Sequence, residues 1–348
     1  QILNIIGLFA LNLVYLTIFI LPAILFFNIS FNKKFIGISI IPIIIFVSYI
    51  YGDHSINQNK KSLNLVEKKI YVKVVSPNFE IDYGLSKKEI EKRLKNIIRY
   101  SQPKKNLPTL FVWPEGVFSG YSFKEVLIFR NIFSKNFSNK HLILFGVNKI
   151  DEKTGKFFNS LLIVNNNLEI IDEYKKQKLV PFGEFLPFKK VLNKFGLKKI
   201  TEGHGSYLRG ENQKNLTLDN LNILPLICYE IIFTKFVQKS DSNTNLIVNI
   251  SEDGWFGKSI GPYQHFSKTI FRAIEQNSFL IRSANKGISA IIDNKGNVIK
   301  KLNPSEAGNI QLEVPLIKNK NKNKNDLIFF ALLITYILIF LILNKNDN

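Results

Sequence analysis

Three long stretches of this chain carry no charge, and they decide which folds are open to it. Residues 1–28 (QILNIIGLFALNLVYLTIFILPAILFFN), 35–52 (FIGISIIPIIIFVSYIYG) and 327–344 (LIFFALLITYILIFLILN) contain no Asp, Glu, Lys or Arg. A helix of about 20 apolar residues crosses the hydrocarbon of a bilayer, and about 17 is the lower limit. Backbone in lipid must satisfy its own polar groups, so such blocks are expected as helices. The first lacks a basic leader and a small-residue cleavage site, which argues against a removed signal peptide. Three membrane spans are therefore expected. They leave 1–52 as a membrane region of two helices, 53–69 as a linker, 70–316 as a globular domain and 317–326 as a basic linker before the last span.

Orientation follows from the loop NISFNKK. Lys33 and Lys34 lie between the first two spans, and short basic loops stay in the cytoplasm. The globular domain is then expected on the opposite face. The run KNKNKNKND at 318–326 pulls the other way, but long domains translocate largely regardless of charge. This run reads as a solvated juxtamembrane segment in reach of anionic headgroups. The chain begins at Gln1 and contains no Met, so it is read as part of a longer protein whose N-terminus lies upstream.

Lys and Arg exceed Asp and Glu by 20, an excess that suits an anionic partner such as a membrane surface or nucleic acid. Nucleic acid is the weaker choice, because the charge is not gathered around an aromatic-rich motif. The single cysteine, Cys228, excludes an intrachain disulfide framework and a CxxC zinc site.

The globular region alternates between two periods. Strand-like apolar runs occupy 70–78, 109–115, 141–150, 158–166, 224–230, 245–251 and 279–293. Helical periodicity appears at 86–100, where Ser86 is placed to cap, and at 263–277. Strands alternating with helices, with consecutive strands elsewhere, predict an α/β sandwich.

Several of these strands end abruptly in a polar residue. FVWPEG delivers Glu115 at the end of a strand, where α/β folds put their sites; LICYE delivers Cys228 the same way. In YKKQKLVPFGEFLPF, residues Lys175, Lys176 and Lys178 precede a turn that holds Glu184 among Phe182, Phe185, Leu186 and Pro187. Taken singly, each has a plain alternative: a solvated loop acid, a core thiol, a solvated basic face. A carboxylate in apolar surroundings, however, is expensive to bury without a cation or donors. Together Glu, Lys and Cys make a coherent set. A carboxylate can take the thiol's proton, and an ammonium can stabilise both thiolate and developing oxyanion. None of His54, His141, His204 or His265 sits in a recognisable Cys–His signature. HExxH, P-loop and GxGxxG patterns are absent, and the string GKSIG at 257–261 does not directly follow a strand-like run as a serine nucleophile elbow must, so zinc, ATP, dinucleotide and serine-hydrolase readings lack support.

In chain order, WPEG, YKKQKLVPFGEFLPF, ICYE and NISEDGWFGKSIGPYQHF…RAIEQNSFLIRSANKGISAIID resemble the nitrilase superfamily and, more narrowly, its membrane-embedded apolipoprotein N-acyltransferase branch. The likeness covers roughly residues 70–300, and DGWFGKSIGP favours the acyltransferase branch over soluble amidases. It implies an αββα sandwich attached to transmembrane helices, at the bacterial inner membrane with the catalytic domain facing the periplasm. It also implies Glu115 as general base, Lys176 as oxyanion stabiliser and Cys228 as nucleophile. Glu184 matches a further glutamate of the family, Tyr229 and Glu230 fall on positions the family needs, and Trp255 matches a mobile segment bordering the site. There are two departures. The family carries more helices before the catalytic domain, and it commonly has a tryptophan soon after the first strand, where this chain reads SPNFEIDYGLS and Tyr83 is the candidate replacement.

The implied reaction moves a fatty acyl group from a membrane phospholipid, through a Cys228 thioester, to the α-amino group of diacylglyceryl-cysteine on an apolipoprotein. It needs no cofactor or metal, and the chain is expected to act as a monomer. A membrane-tethered amidase or nitrilase acting on a small C–N substrate would share the triad, and a non-catalytic membrane-anchored binding module would not need it.

Overall fold

The capping box foreseen around Ser86 is present. In the computed structural model, which describes residues 1–188, 206–211, 214–238, 241, 243–317 and 325–345, Ser86 accepts from the Glu89 N–H. The Glu89 carboxylate in turn accepts from the Ser86 N–H at 2.7 Å. Together they start helix α3 (Lys87–Ser101), whose buried positions Ile90, Leu94, Ile97, Ile98 and Ser101 recur every three to four residues.

Contacts divide the chain into two units, the larger comprising 66–273 and 278–319. It holds two six-stranded sheets. The first has the order β12-β1-β2-β3-β4-β5, with β1 Lys69–Ser76, β2 Thr109–Val112, β3 His141–Ile150, β4 Phe157–Val164, β5 Ile170–Lys175 and β12 Gly308–Pro315. The second runs β11-β10-β9-β8-β7-β6, with β6 Leu216–Leu218, β7 Leu221–Ile227, β8 Leu246–Glu252, β9 Leu280–Asn285, β10 Ser289–Ile292 and β11 Val298–Leu302. The central strands are parallel: β1 with β2, β2 with β3, β7 with β8, and β8 with β9. All four residues of β2 and all seven of β8 are buried, as expected where both faces of a parallel strand are covered. Strands β1 and β2 meet β9 across the sandwich. On the first sheet's outer side, α3 and the segment 117–137 close a core around Phe111, Trp113, Phe133, Phe137 and Phe145. This is the expected αββα sandwich, and it sets the carboxyl ends of β2, β7 and β8 side by side.

The smaller unit comprises 1–65, 274–277 and 320–348. Helix α1 (Leu3–Ile20) continues into a 3-10 segment to Phe26, and α2 spans Phe31–Leu63. Among the described residues, Leu3–Phe26 and Phe31–Leu63 are the two stretches long and apolar enough to cross a membrane. Their large side chains point outward, Phe19, Phe26 and Phe46 among them, the reverse of a soluble core helix. The third expected span falls on helix Asn325–Lys345, whose apolar part Asp326–Leu341 is shorter. Thr17 bonds Tyr336 at 2.5 Å and Phe9 meets Phe329, so this helix packs along α1.

The linker expected at 53–69 is corrected by the structure: α2 continues to Leu63 before the chain enters β1 at Lys69. Nothing in DHSINQNKKSL breaks a helix, and Gln and Lys propagate one well. The basic run was expected at 317–326, and its residues 318–324 lie outside the described residues.

Candidate active site

Glu115, Lys176 and Cys228 each owe their position to a strand end. β2 stops at Val112 and Pro114 turns the chain, so Glu115 emerges at the sheet's carboxyl edge. Trp113 anchors that turn, its indole N–H donating to the Ser101 hydroxyl at 2.9 Å in the core. Lys176 follows β5 directly and is 1% exposed. Cys228 follows β7 as the first residue of a 3-10 turn, Cys228–Ile232, with φ +48°. A left-handed φ is costly for a residue with a Cβ and persists only where its surroundings enforce it.

The carboxylates and the ammonium form one connected group. Lys176 Nζ donates to Glu184 Oε1 at 2.9 Å and lies 3.7 Å from Glu115 Oε1. Asn159, on β4, sends its amide N–H groups to Glu115 Oε1 at 2.7 Å and Glu184 Oε1 at 2.8 Å. The remaining oxygens are satisfied by backbone: the Val180 N–H reaches Glu184 Oε2 and the Glu252 N–H reaches Glu115 Oε2. Burial alone would push the Lys176 ammonium down, but Glu184 and then Glu115 outweigh it, and the group is held charged, raised above its ordinary value. The Cys228 thiol moves the opposite way from what a resting thiolate needs. Burial, with the Glu115 charge adding, pushes it up to about 12 against the opposing pull of Lys176. At neutral pH the sulfur therefore carries its proton until a base removes it.

Glu230, two residues past Cys228, is fully buried and accepts four hydrogen bonds. Its Oε1 takes the Tyr174 hydroxyl at 2.8 Å and the Gln177 and Lys178 N–H groups; its Oε2 takes the Ile227 N–H at 2.9 Å. One side chain thus ties the loop that carries Lys176 to the turn that carries Cys228. Burial raises the Glu230 carboxyl despite these backbone donors.

Tyr229 packs edge-on against Phe233, and Trp255 stacks on Tyr83 with centroids 6.1 Å apart. All the candidates except Glu230 line one cavity of about 640 Å³, walled further by Ile81, Phe118, Val147, Val180, Ile232 and Phe256. The structure thus brings Glu115, Lys176, Cys228, Glu184, Tyr229 and Trp255 to one place, with Glu230 directly behind them. Among the described residues no group of three or more His, Cys, Asp or Glu is arranged to hold a metal ion.

Four participants escaped the sequence reading. Besides Asn159 they are Asp253, His265 and Arg282, a buried group behind Cys228. Arg282 donates to Asp253 Oδ2 at 2.7 Å, His265 Nδ1 lies 2.9 Å from Asp253 Oδ1, and His265 Nε2 lies 3.1 Å from the Cys228 carbonyl oxygen. The order Cys, His, Asp imitates a protease triad, yet the imidazole meets the carbonyl and holds the strained turn. The signal available was chemical rather than periodic: Arg282 sits in the strand-like run FLIRSAN, which is wholly buried from Leu280 to Asn285, and a buried guanidinium demands an anion.

Burial alone would raise the Asp253 carboxyl, but Arg282 and His265 hold it near 2, below its unfolded 3.8. A depressed acid stabilises the fold fully above its unfolded value and loses that contribution as pH falls through its folded value. Asp253 should thus supply about 2 kcal/mol above about pH 4 that is gone near pH 2. The check is denaturant unfolding across that range, where the wild type should lose about 2 kcal/mol more than Asp253→Asn; parallel curves would contradict it.

The chain is similar to known proteins over most of its length. The chain is 33% identical over 320 residues to the apolipoprotein N-acyltransferase of Rickettsia typhi, covering 91% of this chain and 63% of that one. It is 29% identical over 329 residues to the Rhodopseudomonas palustris protein of the same name, covering 90% and 61%. The chain therefore spans somewhat under two thirds of the length of these relatives. Among solved structures, Nit3 of Saccharomyces cerevisiae, a nitrilase-superfamily member, superposes with TM-score 0.51 at 16% identity, covering 72% of this chain and 91% of that one. A CN-hydrolase superfamily protein of Xanthomonas campestris gives 0.52 at 16% identity, covering 71% and 91%; both likenesses concern the fold. The carbon–nitrogen hydrolase family model matches residues 83–318, which take in Glu115, Lys176, Cys228 and the strands that present them, and the chain belongs to that family.

Proposed function

We propose that the protein is an apolipoprotein N-acyltransferase of the bacterial inner membrane, using Glu115, Lys176 and Cys228. The observation that carries this reading is the setting of the three groups: they meet at a roomy cavity walled largely by aliphatic and aromatic side chains. A fatty acyl chain needs such walls, whereas a small amide does not. The named relatives, and two helices long and apolar enough to span a bilayer, support it.

The chemistry follows from the resting protonation. Glu115 takes the Cys228 proton as sulfur attacks the ester carbonyl of a phospholipid, so no free thiolate accumulates. The carbonyl π electrons move to oxygen, and Lys176 with backbone N–H groups near Tyr229 stabilises that oxyanion. Glu184 and Asn159 hold Lys176 and Glu115 in register. Collapse expels the lysophospholipid alkoxide, which takes the proton back from Glu115 and leaves an acyl thioester on Cys228. The α-amino group of a diacylglyceryl-cysteine then attacks the thioester, the amide forms, and the thiol is restored. Tyr229, Trp255 and Tyr83 line the entry. In this reading helix Asn325–Lys345 is a third span, the catalytic unit faces the periplasm, the chain acts as a monomer, and both lipid-anchored substrates arrive by lateral diffusion.

Mass spectrometry of the full chain incubated with phospholipid micelles tests this. The Cys228 peptide should gain a fatty-acyl mass that hydroxylamine removes. An active preparation without that adduct, or one that releases ammonia from small amides and acylates no lipopeptide, would refute the reading.

A further inference from the structure

The proposed reaction leaves one proton unaccounted for. The acceptor's α-amino group, with a pKa of about 8, arrives at neutral pH mostly as an ammonium. It must lose one proton before its lone pair can attack and a second as the amide forms. Glu115 handles the second, because it passes that proton to the departing thiolate. A base for the first is needed within reach of the same cavity.

The structure offers one. Glu252, the last residue of β8, lines the cavity with Glu115, and its own N–H is the donor on Glu115 Oε2 at 3.1 Å. Its carboxyl is held in place: the Gly254 N–H reaches Oε1 at 3.0 Å and the Asn285 amide reaches Oε2 at 2.8 Å. Asn285 is fixed in turn by donating to the Phe79 carbonyl and accepting from the Phe79 N–H. Gly116, at φ +79°, makes room: a Cβ there would lie 2.8 Å from Glu252 Oε2. The chain therefore bends past Glu252 and leaves its carboxyl beside the catalytic turn.

We propose that Glu252 is a second catalytic base, which takes the first proton from the acceptor's α-ammonium while Glu115 remains free for the second. This rests on the N-acyltransfer reading above and adds a step to it. The ammonium N–H bond breaks to Glu252, giving a carboxylic acid and a neutral amine. The amine lone pair forms the C–N bond to the thioester carbon as the π electrons move to oxygen. The attacking nitrogen's second proton goes to Glu115, the C–S bond breaks with its electron pair on sulfur, and the thiolate takes the Glu115 proton. Glu252 returns its proton to water through the cavity mouth, so each turnover releases one proton.

The surroundings suit that role. Glu252 faces Glu115 from the β2 turn, Asp253 on its own segment, Tyr83 from the loop before α3, and Arg93 on α3 as the cation that feels it. Burial, with Glu115 and Asp253 adding, pushes the carboxyl up to about 8 against the Asn285 and Gly254 hydrogen bonds. That is level with an α-amino group at about 8, so the proton passes between them at little cost, and the arriving ammonium itself favours the carboxylate.

The test compares two nucleophiles on the acyl-enzyme. A synthetic peptide with N-terminal diacylglyceryl-cysteine needs the first deprotonation; hydroxylamine, mostly uncharged at neutral pH, does not. In Glu252→Gln the ratio of lipopeptide to hydroxylamine discharge at about pH 7 should fall at least about tenfold, and Glu252→Asp should restore part of it. A ratio unchanged in Glu252→Gln, or both rates falling together, would make the residue structural and overturn the proposal. Should the Gln variant not fold, Glu252→Asp answers alone: a carboxylate drawn back by one methylene should still lower the ratio at least about threefold, and a ratio equal to that of the wild type would overturn the proposal. The adduct on Cys228 is measured first. A chain that never acylates overturns both readings, and one that acylates with an unaltered ratio overturns only this one.

Discussion

Lys176→Met should lower acylation of Cys228 by about a thousandfold or more and destabilise the catalytic unit by roughly 3–5 kcal/mol. Methionine keeps the length and apolar stem of lysine and removes only the charge. Glu115 and Glu184, which share Asn159 and have Lys176 between them, are then left as two carboxylates without a cation. With no cation between them the two carboxylates repel, and in the proposed mechanism the oxyanion loses its counter-charge as well. The double variant Lys176→Met/Glu184→Gln separates fold from chemistry, since it relieves the repulsion and should recover most of the stability but none of the acylation. Thermal unfolding and the Cys228 adduct are the two measurements. Acylation by the single variant at near the wild-type rate would remove Lys176 from the mechanism.

Glu230→Ala should prevent accumulation of folded protein altogether. The substitution orphans the Tyr174 hydroxyl and three backbone N–H groups at once. Each buried donor left unpaired costs about 1–3 kcal/mol, so four together approach or exceed the roughly 5–15 kcal/mol by which domains are stable. Glu230→Gln is the informative variant. Its carbonyl oxygen can still accept, but its NH₂ would face the Ile227 N–H or the Gln177 pair, donor against donor. The fold should survive with the Lys176 loop displaced relative to Cys228, and kcat for acylation should fall about a hundredfold with KM nearly unchanged. A rise in KM alone would mean that Glu230 shapes substrate binding and does not position the reacting groups.

The parts of this molecule that sequence pattern reached are those with strong local logic. Ser86 and Glu89 announce α3, and the runs LICYE and FVWPEG announce strands that end in chemistry because a polar residue after buried strand residues stands at a sheet edge. Pattern did not reach β5, β6, β11 and β12. IIDEYK and VIKKL mix charges into exposed strands, and β6 has only three residues. Among the three lysines of YKKQK, nothing in composition distinguishes Lys176. Resemblance singled it out, and the structure gives the physical difference: Lys176 is buried against two carboxylates, while Lys175 reaches over the Phe158 ring. Asn159 and His265 were out of reach for a plainer reason. Each bonds to residues far away in sequence, and a single polar side chain has no period.

The protonated sulfur has a consequence for which reagents can reach it. Alkylating agents and peroxides consume thiolates, so a cysteine whose proton leaves only as a carbonyl is attacked gives them little to react with. An oxidising compartment would then spare Cys228 between turnovers. Covalent labelling should succeed with acyl esters that recruit Glu115 during attack and stay slow with iodoacetamide. Selectivity toward this sulfur would then come from the proposed reaction, not from any standing reactivity.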